Sequence, residues 1–213
     1  MNVDQLRAEM IKQIFQTIKT EVEEKWADRD PMKISATSLV SCGRKWFFRR
    51  KGYEERVSDE TLLHFITGIK LHEAIQSMTG FSEVEVERNG IVGHVDMVYG
   101  EYPVEIKTTK TQRRNFISEQ WLDQLTVYCY LMNKRTGFLI VFYLSVPRLV
   151  VIPVMVDPKK EEKWILERRD VLLRAVEEDD YRIIPETWGY GNWECRYCSF
   201  RKICDGDVNV LAP

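Results

Sequence analysis

Two acidic residues and a lysine between positions 96 and 107 have the types and the spacing of a metal-dependent phosphodiester site. Asp96 lies on one predicted strand, and a turn at 100–103 brings it beside the next strand, where side-chain alternation puts Glu105 and Lys107 on one face. Carboxylates on neighbouring strands form an oxygen site for a hard cation such as Mg²⁺ or Mn²⁺. Lys107 can stabilise the charge that develops on a phosphodiester, and His72 on the preceding helix can supply a nitrogen ligand.

Each of these residues also has an ordinary structural explanation. A Glu-x-Lys pair on a strand is usually part of a solvated face, and a lone histidine is more often structural than a ligand. His94 shares the strand face of Asp96, so it lies at the rim of the site or is simply a half-exposed strand residue. Gln120, Gln124 and Tyr128 recur at four-residue spacing on the next predicted helix, where they line the site or form the exposed side of that helix.

Four of the five cysteines have a spacing that suits one metal centre. Cys195, Cys198 and Cys204 form a compact triplet that leaves one coordination position open, and the upstream Cys42 is the obvious fourth ligand. Four thiolates hold either zinc or an iron–sulfur cluster, although zinc sites more often pair two Cys-x-x-Cys motifs. A disulfide framework is disfavoured because thiols are kept reduced inside cells, hyperthermophile proteins excepted. Cys129, on a predicted helix, is expected to be a buried core residue.

Basic and aromatic residues occur in two groups that suit a path for single-stranded DNA. Backbone phosphates attract cations whatever the sequence, and bases stack on aromatic rings. The group that follows Lys107 is the stronger candidate, and the alternative for both groups is ordinary solvated charge with the aromatic rings in the core. The first group comprises Arg44, Lys45, Trp46, Arg49, Arg50 and Lys51, and the second comprises Lys110, Arg113 and Arg114.

An α/β arrangement of helices and strands has to position these residues. Apolar residues from Leu6 to Trp26 recur at helical spacing, Asp30-Pro31 ends that amphipathic helix, and Asn89-Gly90 predicts a tight hairpin turn. The order of elements predicts a mixed central sheet whose faces are covered by helices. The predicted helices are 4–26, 60–79, 115–134 and 158–179, and the predicted strands are 83–88, 91–99, 104–108, 138–145 and 149–156.

Composition limits the class of protein. The 213 residues are 44% hydrophobic and carry a net charge of −2, so a sizeable core is expected but the protein is not a polycation. If the protein binds nucleic acid, the basic residues that bind it must be concentrated in one part of the surface. The most apolar stretch, 146–156, is interrupted by two prolines and an arginine, and the first thirty residues contain no signal-peptide run. We expect a soluble, cytoplasmic protein with no membrane partner.

The ordered set of motifs resembles the RecB-like branch of the PD-(D/E)XK nuclease superfamily. One cysteine before this set and three after it resemble nucleases of the AddB type. They resemble even more closely the CRISPR-associated RecB-like exonucleases, the fourth family of core CRISPR-associated proteins. The similarity runs from Thr37 to the terminal cysteines and leaves the N-terminal helix unassigned. The motifs are Gly68-x-x-x-His72, Gly93-His94-Val95-Asp96, Glu105-x-Lys107 and Gln124-x-x-x-Tyr128.

This resemblance implies a PD-(D/E)XK, restriction-endonuclease-like core with a metal site built from several elements. Lys107 would position the attacking water or the phosphate, while Gln124 and Tyr128 would line the pocket. The implied ligands of one Mn²⁺ or Mg²⁺ are His72, Asp96, Glu105 and the carbonyl oxygen of Ile106.

The resemblance also implies an iron–sulfur cluster, 4Fe–4S in preference to 2Fe–2S, that joins the N- and C-terminal segments. Because closing so long a loop is entropically costly for the bare chain, cluster binding would contribute folding energy, and we expect a mainly structural role. The expected organisation is a single RecB-like nuclease domain over 1–213. Within it lie an N-terminal helix in 1–30, a cluster lobe in 35–55 plus 185–206, and a nuclease core in 60–184. The implied cluster ligands are Cys42, Cys195, Cys198 and Cys204.

The implied activity is exonucleolytic hydrolysis of single-stranded DNA during CRISPR adaptation, a part of antiviral defence. Implied partners are single-stranded DNA and the integrase proteins of adaptation, with a homo-oligomer as a further option. Three alternatives stay open at this point. The first is a RecB/AddB-like recombination or repair nuclease that works with a separate helicase. The second is a non-catalytic iron–sulfur module that binds DNA, and the third is zinc in place of the cluster.

Overall fold

The computed structural model of the chain describes residues 2–27, 30, 32–55, 57–113, 115–186, 188, 190 and 193–206. Its helices are α1 Val3–Ala27, α2 Ala36–Val40, α3 Gly43–Arg50, α4 Asp59–Thr79, α5 Glu119–Leu131, α6 Pro158–Glu177 and α7 Arg201–Cys204, with 3₁₀ turns at Tyr181–Ile183 and Glu194–Tyr197. Its strands are β1 Ile34–Ser35, β2 Val84–Arg88, β3 Ile91–Val95, β4 Met97–Tyr99, β5 Tyr102–Thr109, β6 Thr136–Tyr143 and β7 Arg148–Met155. Among these elements no helix is long and apolar enough to cross a membrane.

The strands form two sheets, where the sequence predicts one central sheet. One sheet has the order β1-β3-β2 and the other has the order β4-β5-β6-β7. Both are mixed, since β1 and β3 are parallel, β5 and β6 are parallel, and the remaining neighbours are antiparallel. The chain crosses from one sheet to the other at Asp96, so the predicted strand 91–99 is broken there. The α/β class with helices flanking mixed sheets is confirmed.

Local sequence signals fix the ends of α4 and of the β2–β3 hairpin. The hydroxyl of Ser58 accepts a hydrogen bond from the backbone N of Thr61 at 3.3 Å, and Gly80 ends the helix with a φ of 71°. Asn89 and Gly90 have φ values of 53° and 72°, as a type I′ hairpin turn requires. These two features hold α4 and the hairpin where the sequence predicts them.

Helix α5 connects β5 to β6 and packs against both sheets. It begins after Ser118 and ends at Leu131, and is therefore shorter than the predicted 115–134. Asn133, with a left-handed φ of 52°, provides the physical reason for the early end. The approach to β3 is so close that a Cβ atom on Gly93 would lie 2.6 Å from Cδ1 of Leu131.

Residues from distant parts of the chain share one apolar core. Phe48 of α3 and Phe200 are fully buried, and their ring centroids lie 5.3 Å apart. The same core contains Ile184 and Tyr128. The segments that carry Cys42 and the C-terminal cysteines are thus brought together by side-chain packing.

Helix α1 is anchored to the body through its C-terminal half. Val22 is fully buried, and the carboxylate of Glu21 contacts the ammonium group of Lys70 on α4. In the N-terminal half, Leu6, Met10 and Ile14 are exposed. The predicted amphipathic helix is confirmed, but its N-terminal apolar stripe is not part of the core.

Candidate active site and cysteine cleft

Asp96 lies where the chain crosses between the two sheets, and its carboxylate is nearly buried. Its Oδ2 accepts a hydrogen bond from the backbone N of Ile106 at 2.7 Å, and its Oδ1 lies 3.4 Å from Nδ1 of His72 on α4. Burial raises the pKa of Asp96, but the hydrogen bond and charge of His72 outweigh burial, so the pKa lies below its ordinary value. Burial lowers the pKa of His72, yet the contact with Asp96 raises it overall. Each of the two groups therefore favours the charged form of the other.

Glu105 on β5 is the most deeply buried acidic residue of the site, at 1% exposure. Its Oε1 closely contacts Nζ of Lys107, and its Oε2 has no hydrogen-bond partner among the described residues. Burial, together with repulsion from Asp96, raises the pKa of Glu105 to about 7. An unpaired carboxylate oxygen is costly in a buried site, so a proton or a cation at Oε2 would stabilise it.

A chain of hydrogen bonds connects Lys107 to α5. Nζ of Lys107 donates to Oε1 of Gln124 at 2.9 Å, and Nε2 of Gln124 donates to the hydroxyl of Tyr128 at 2.9 Å. That hydroxyl donates in turn to the backbone carbonyl of His94 at 2.8 Å. Gln124 and Tyr128 are buried, so they lie against the site and not on the exposed side of the helix.

His94 and Gln76 occupy the surroundings of this site. The imidazole of His94 lies 3.4 Å (Nδ1) from Oε1 of Glu83 and faces the hairpin, while its backbone carbonyl accepts the bond from Tyr128. Gln76, one helical turn after His72, donates from Nε2 to the backbone carbonyl of Asp96 at 3.0 Å. Sequence reasoning did not single out Gln76, although its four-residue spacing from His72 was a usable signal.

The four predicted cysteine ligands line one cleft of about 1320 Å³, between α3, α4 and the C-terminal segment. All five cysteines are free, and Cys129, on α5, is fully buried, as predicted. Burial raises the pKa of Cys42, and the charge of Cys198 raises it further. Burial likewise raises the pKa of Cys204 to about 11, with a contribution from Cys42. The thiols of the cleft therefore interact electrostatically, and as unliganded thiolates they would repel one another.

Sequence comparison assigns the family. A sequence profile of the PD-(D/E)XK nuclease superfamily matches residues 8–205. The chain belongs to this superfamily. The sequence matches no curated protein.

Solved structures share the fold of this nuclease. The crystal structure of SSO0001 has a TM-score of 0.66 at 21% identity, and the match covers 94% of this chain and 98% of that one. An alkaline exonuclease (LHK-Exo) from Laribacter hongkongensis has a TM-score of 0.50 at 15% identity, covering 73% of this chain and 95% of that one. The same exonuclease in complex with dAMP gives a TM-score of 0.50 at 16% identity, with the same coverage.

PD-(D/E)XK nucleases usually use divalent metal ions, and the acidic site of this nuclease has donors of that type. The unsatisfied Oε2 of Glu105 and the nearly buried carboxylate of Asp96 fit a hard cation. In the structure, His72 lies beside the carboxylate of Asp96, and Lys107 lies beside that of Glu105. In the part of the chain that is described, no three His, Cys, Asp or Glu side chains are already gathered at metal-binding distance. Binding would therefore draw the side chains together. The amide of Ile106 contacts Asp96, and its carbonyl as a ligand stays a prediction.

The first group of predicted DNA-binding residues makes internal contacts. Glu55 accepts hydrogen bonds from Arg49 at 2.6 Å and lies 2.6 Å from Nζ of Lys45. Arg50 donates to the backbone carbonyl of Met32 and stacks 5.3 Å from the ring centre of Trp46. These contacts hold α3 in place, and DNA binding by Arg49 and Arg50 stays a prediction. The pairing with Glu55 was missed because a six-residue separation carries no helical signal.

The second group lies just beyond the strand that carries Lys107. Lys110 and Arg113 are exposed, and Arg113 lines a pocket of about 200 Å³ together with Arg148. Arg114 lies outside the described residues. Their position after β5 keeps them candidates for phosphate contacts.

Proposed function

We propose that this nuclease is a metal-dependent exonuclease that hydrolyses single-stranded DNA and processes fragments for CRISPR spacer acquisition. The observation that carries the catalytic part is the convergence of Asp96, Glu105, Lys107 and His72 at the crossing between the two sheets. A lysine beside two buried carboxylates, one of them in contact with it, is unusual in a purely structural setting, because burying charge is costly.

His72, Asp96, Glu105 and the carbonyl of Ile106 would hold one Mn²⁺ or Mg²⁺. When bound, the ion would offset charge on the scissile phosphate and lower the pKa of a water molecule. Lys107 would orient that water or the phosphate oxygen, and Gln124 holds the Lys107 ammonium in place through its 2.9 Å hydrogen bond. Tyr128 in turn fixes the amide of Gln124.

Cys42, Cys195, Cys198 and Cys204 would hold a 4Fe–4S cluster. Four free thiols that line one cleft are the donor set that such a cluster needs, and the pKa values of Cys42, Cys198 and Cys204 are each raised in part by another of the four. The bound cluster would convert the mutual repulsion of the thiolates into coordination. Its main contribution would be to stabilise the junction of the two ends of the fold.

The resemblance to CRISPR-associated RecB-like exonucleases supports single-stranded DNA as substrate and adaptation as the setting. The fold shared with an alkaline exonuclease, whose structure was solved with dAMP, is consistent with hydrolysis of DNA to nucleotides. The adaptation integrase would be the partner that receives the processed fragments.

The direct test is digestion of end-labelled single- and double-stranded DNA with Mn²⁺. We expect cleavage of the single strand by the wild type and a loss of roughly 10²- to 10³-fold in Lys107→Ala, because a charge-stabilising group is removed. Lys163→Ala, an exposed lysine on α6, is the matched control and should retain full activity. A wild type that cleaves no DNA, or Lys107→Ala at wild-type rate, would refute the nuclease assignment.

The biological setting needs a separate test. In cells that carry a CRISPR array and its integrase, we expect Lys107→Ala to reduce the number of correctly trimmed new spacers. Unchanged acquisition, combined with sensitivity to DNA damage in the variant, would favour the repair nuclease.

A further inference from the structure

Glu194, the residue immediately before Cys195, connects segments that are far apart in the sequence. Its Oε2 accepts a hydrogen bond from the backbone N of Cys42 at 2.7 Å, across 152 residues. Its Oε1 accepts a hydrogen bond from Nε2 of Gln120 on α5 at 2.9 Å. A single carboxylate therefore joins two cysteine-bearing segments to the helix that contacts Lys107.

A second contact fastens the same C-terminal segment to α5. The hydroxyl of Tyr190 donates to the carboxylate of Asp123, one turn after Gln120. Arg168 orients Tyr190 through a hydrogen bond of 3.0 Å and holds the carbonyl of Trp188 at 3.0 Å. The segment before Cys195 is thus attached to the N-terminal half of α5 at two positions.

Helix α5 carries these contacts to the active site. Gln124 lies one turn after Gln120 and accepts the hydrogen bond from Lys107. A helix transmits a displacement along its axis because its backbone hydrogen bonds resist local distortion, and linked packed elements can carry coupling between sites. A shift of the cysteine cleft would therefore move the partner of Lys107.

The carboxylate of Glu194 accepts hydrogen bonds from both donors at short distance. A charged acceptor makes stronger hydrogen bonds to the amide of Cys42 and to Gln120 than a neutral one would.

We propose that Glu194 is a positioning residue that couples occupancy of the cysteine site to the placement of Lys107, so that loss of the cluster lowers the rate of DNA hydrolysis. This inference rests on the proposed function. Glu194→Gln should keep both contacts, since Gln120 can present its amide in either orientation, whereas Glu194→Ala removes both.

The first measurement separates kcat from KM on single-stranded DNA with Mn²⁺, alongside iron per chain. In Glu194→Ala and in Gln120→Ala we expect kcat to fall roughly 5- to 30-fold, with KM changed less than about two-fold. The double variant should be no slower than either single variant, because both substitutions break the same connection. Glu194→Gln should recover most of the rate. Glu186→Ala, an exposed acid on the same cleft, is the matched control.

The second measurement does not depend on catalysis. Amide hydrogen exchange across Glu119–Leu131 should become faster in the wild type when a chelator removes the iron, because the contact at Gln120 is released. In Glu194→Ala, exchange in the first turns of α5 should already be fast and should not change on iron removal.

Three results would overturn the coupling. The first is an unchanged kcat in Glu194→Ala, and the second is a loss of kcat in the double variant that equals the sum of the two single losses in free energy. The third is amide exchange in α5 of the wild type that stays the same when iron is removed. If the wild type is colourless or cleaves no DNA, the proposed function is wrong, and the coupling that rests on it is wrong as well. An active, coloured wild type with any of the three results refutes the coupling alone.

Discussion

The carboxyl group of Glu105 predicts a particular pH dependence of stability. Its pKa is raised from 4.5 to about 7 in the fold, so the folded protein binds this proton more tightly than the unfolded chain does. The resulting stabilisation is complete below pH 4.5 and is lost as the pH rises through 7. The loss amounts to at most about 3 kcal/mol. The raised pKa of His72 contributes with the same sign.

We expect Glu105→Gln to flatten this dependence in the metal-free protein. Urea unfolding from pH 4.5 to 8 measures it, and the difference between wild type and variant isolates Glu105 from other titrating groups. If the free energy of unfolding depended on pH in the same way in the wild type and in Glu105→Gln, Glu105 would not be the buried, unpaired carboxylate that we describe. Added Mn²⁺ should restore stability at high pH in the wild type only.

Gln124 predicts a catalytic effect without a direct role in chemistry. Gln124→Met keeps the volume of the side chain but removes the hydrogen bond to Lys107, which we expect to lower kcat roughly 10- to 100-fold. Tyr128→Phe removes the bonds of its hydroxyl to Gln124 and to the carbonyl of His94 but leaves the hydrogen bond between Lys107 and Gln124, so the loss of kcat should be smaller. Steady-state rates on single-stranded DNA distinguish the two variants. Equal losses of kcat would contradict the prediction that Gln124→Met is the slower one.

Among the helices and strands, the packing of α5 on β3 has little room for added volume. A Cβ atom on Gly93 would lie 2.6 Å from Leu131 and 3.1 Å from the ring of Tyr128. We expect Gly93→Ala to lower the free energy of unfolding by about 1–3 kcal/mol, measured by urea denaturation. Gly68→Ala is the matched control, because nothing lies within 4 Å of its Cβ position on α4. That variant should be neutral or slightly stabilised, and similar losses in both would rule out a packing cause.

The sequence predicted the elements whose signals are local. Apolar spacing predicted α1, and Asn89-Gly90 predicted the hairpin. The predicted helices 60–79 and 158–179 correspond to α4 and α6. The division into two sheets at Asp96 was not predicted, because an apolar run on both sides of a residue gives no sign of a change of partner strand. The polar stripe on α5 was predicted by its spacing, whereas the contact of Gln120 with Glu194 depends on chain folding over long distances.

At the scale of the whole molecule, the cysteine cleft predicts a dependence of folding on metal. We expect Cys198→Ala to give colourless, poorly soluble protein, because the cluster would no longer hold the N- and C-terminal segments together. Cys129→Ala should retain colour and solubility, since Cys129 lies on α5, where it packs into the core away from the cleft. Iron per chain and visible absorbance after anaerobic purification measure the difference. A soluble, fully active Cys198→Ala protein would show that packing alone is sufficient.

Spacing predicted that Cys42 belongs with the C-terminal triplet. All four cysteines line one cleft, and their binding of a common cluster stays a prediction. Spacing was not enough to predict how the two ends meet. The packing of Phe48 on Phe200 and the pairing of Glu55 with Arg49 depend on tertiary contacts, so the sequence alone did not predict them. Residue types identified the chemistry of the site, and geometry was needed to assign partners.

The bond between Cys42 and Glu194 also orders events during synthesis of the protein. When β5 has just left the ribosome, the nascent chain already contains Asp96, Glu105 and Lys107. Glu194 and Phe200 have not yet been translated at that stage. Until they emerge from the ribosome, Phe48 of α3 lacks its contact with Phe200, and Gln120 lacks its hydrogen bond to Glu194. The segment that carries Cys42 and the first turns of α5 therefore reach their final contacts only after residues 194–200 have been translated.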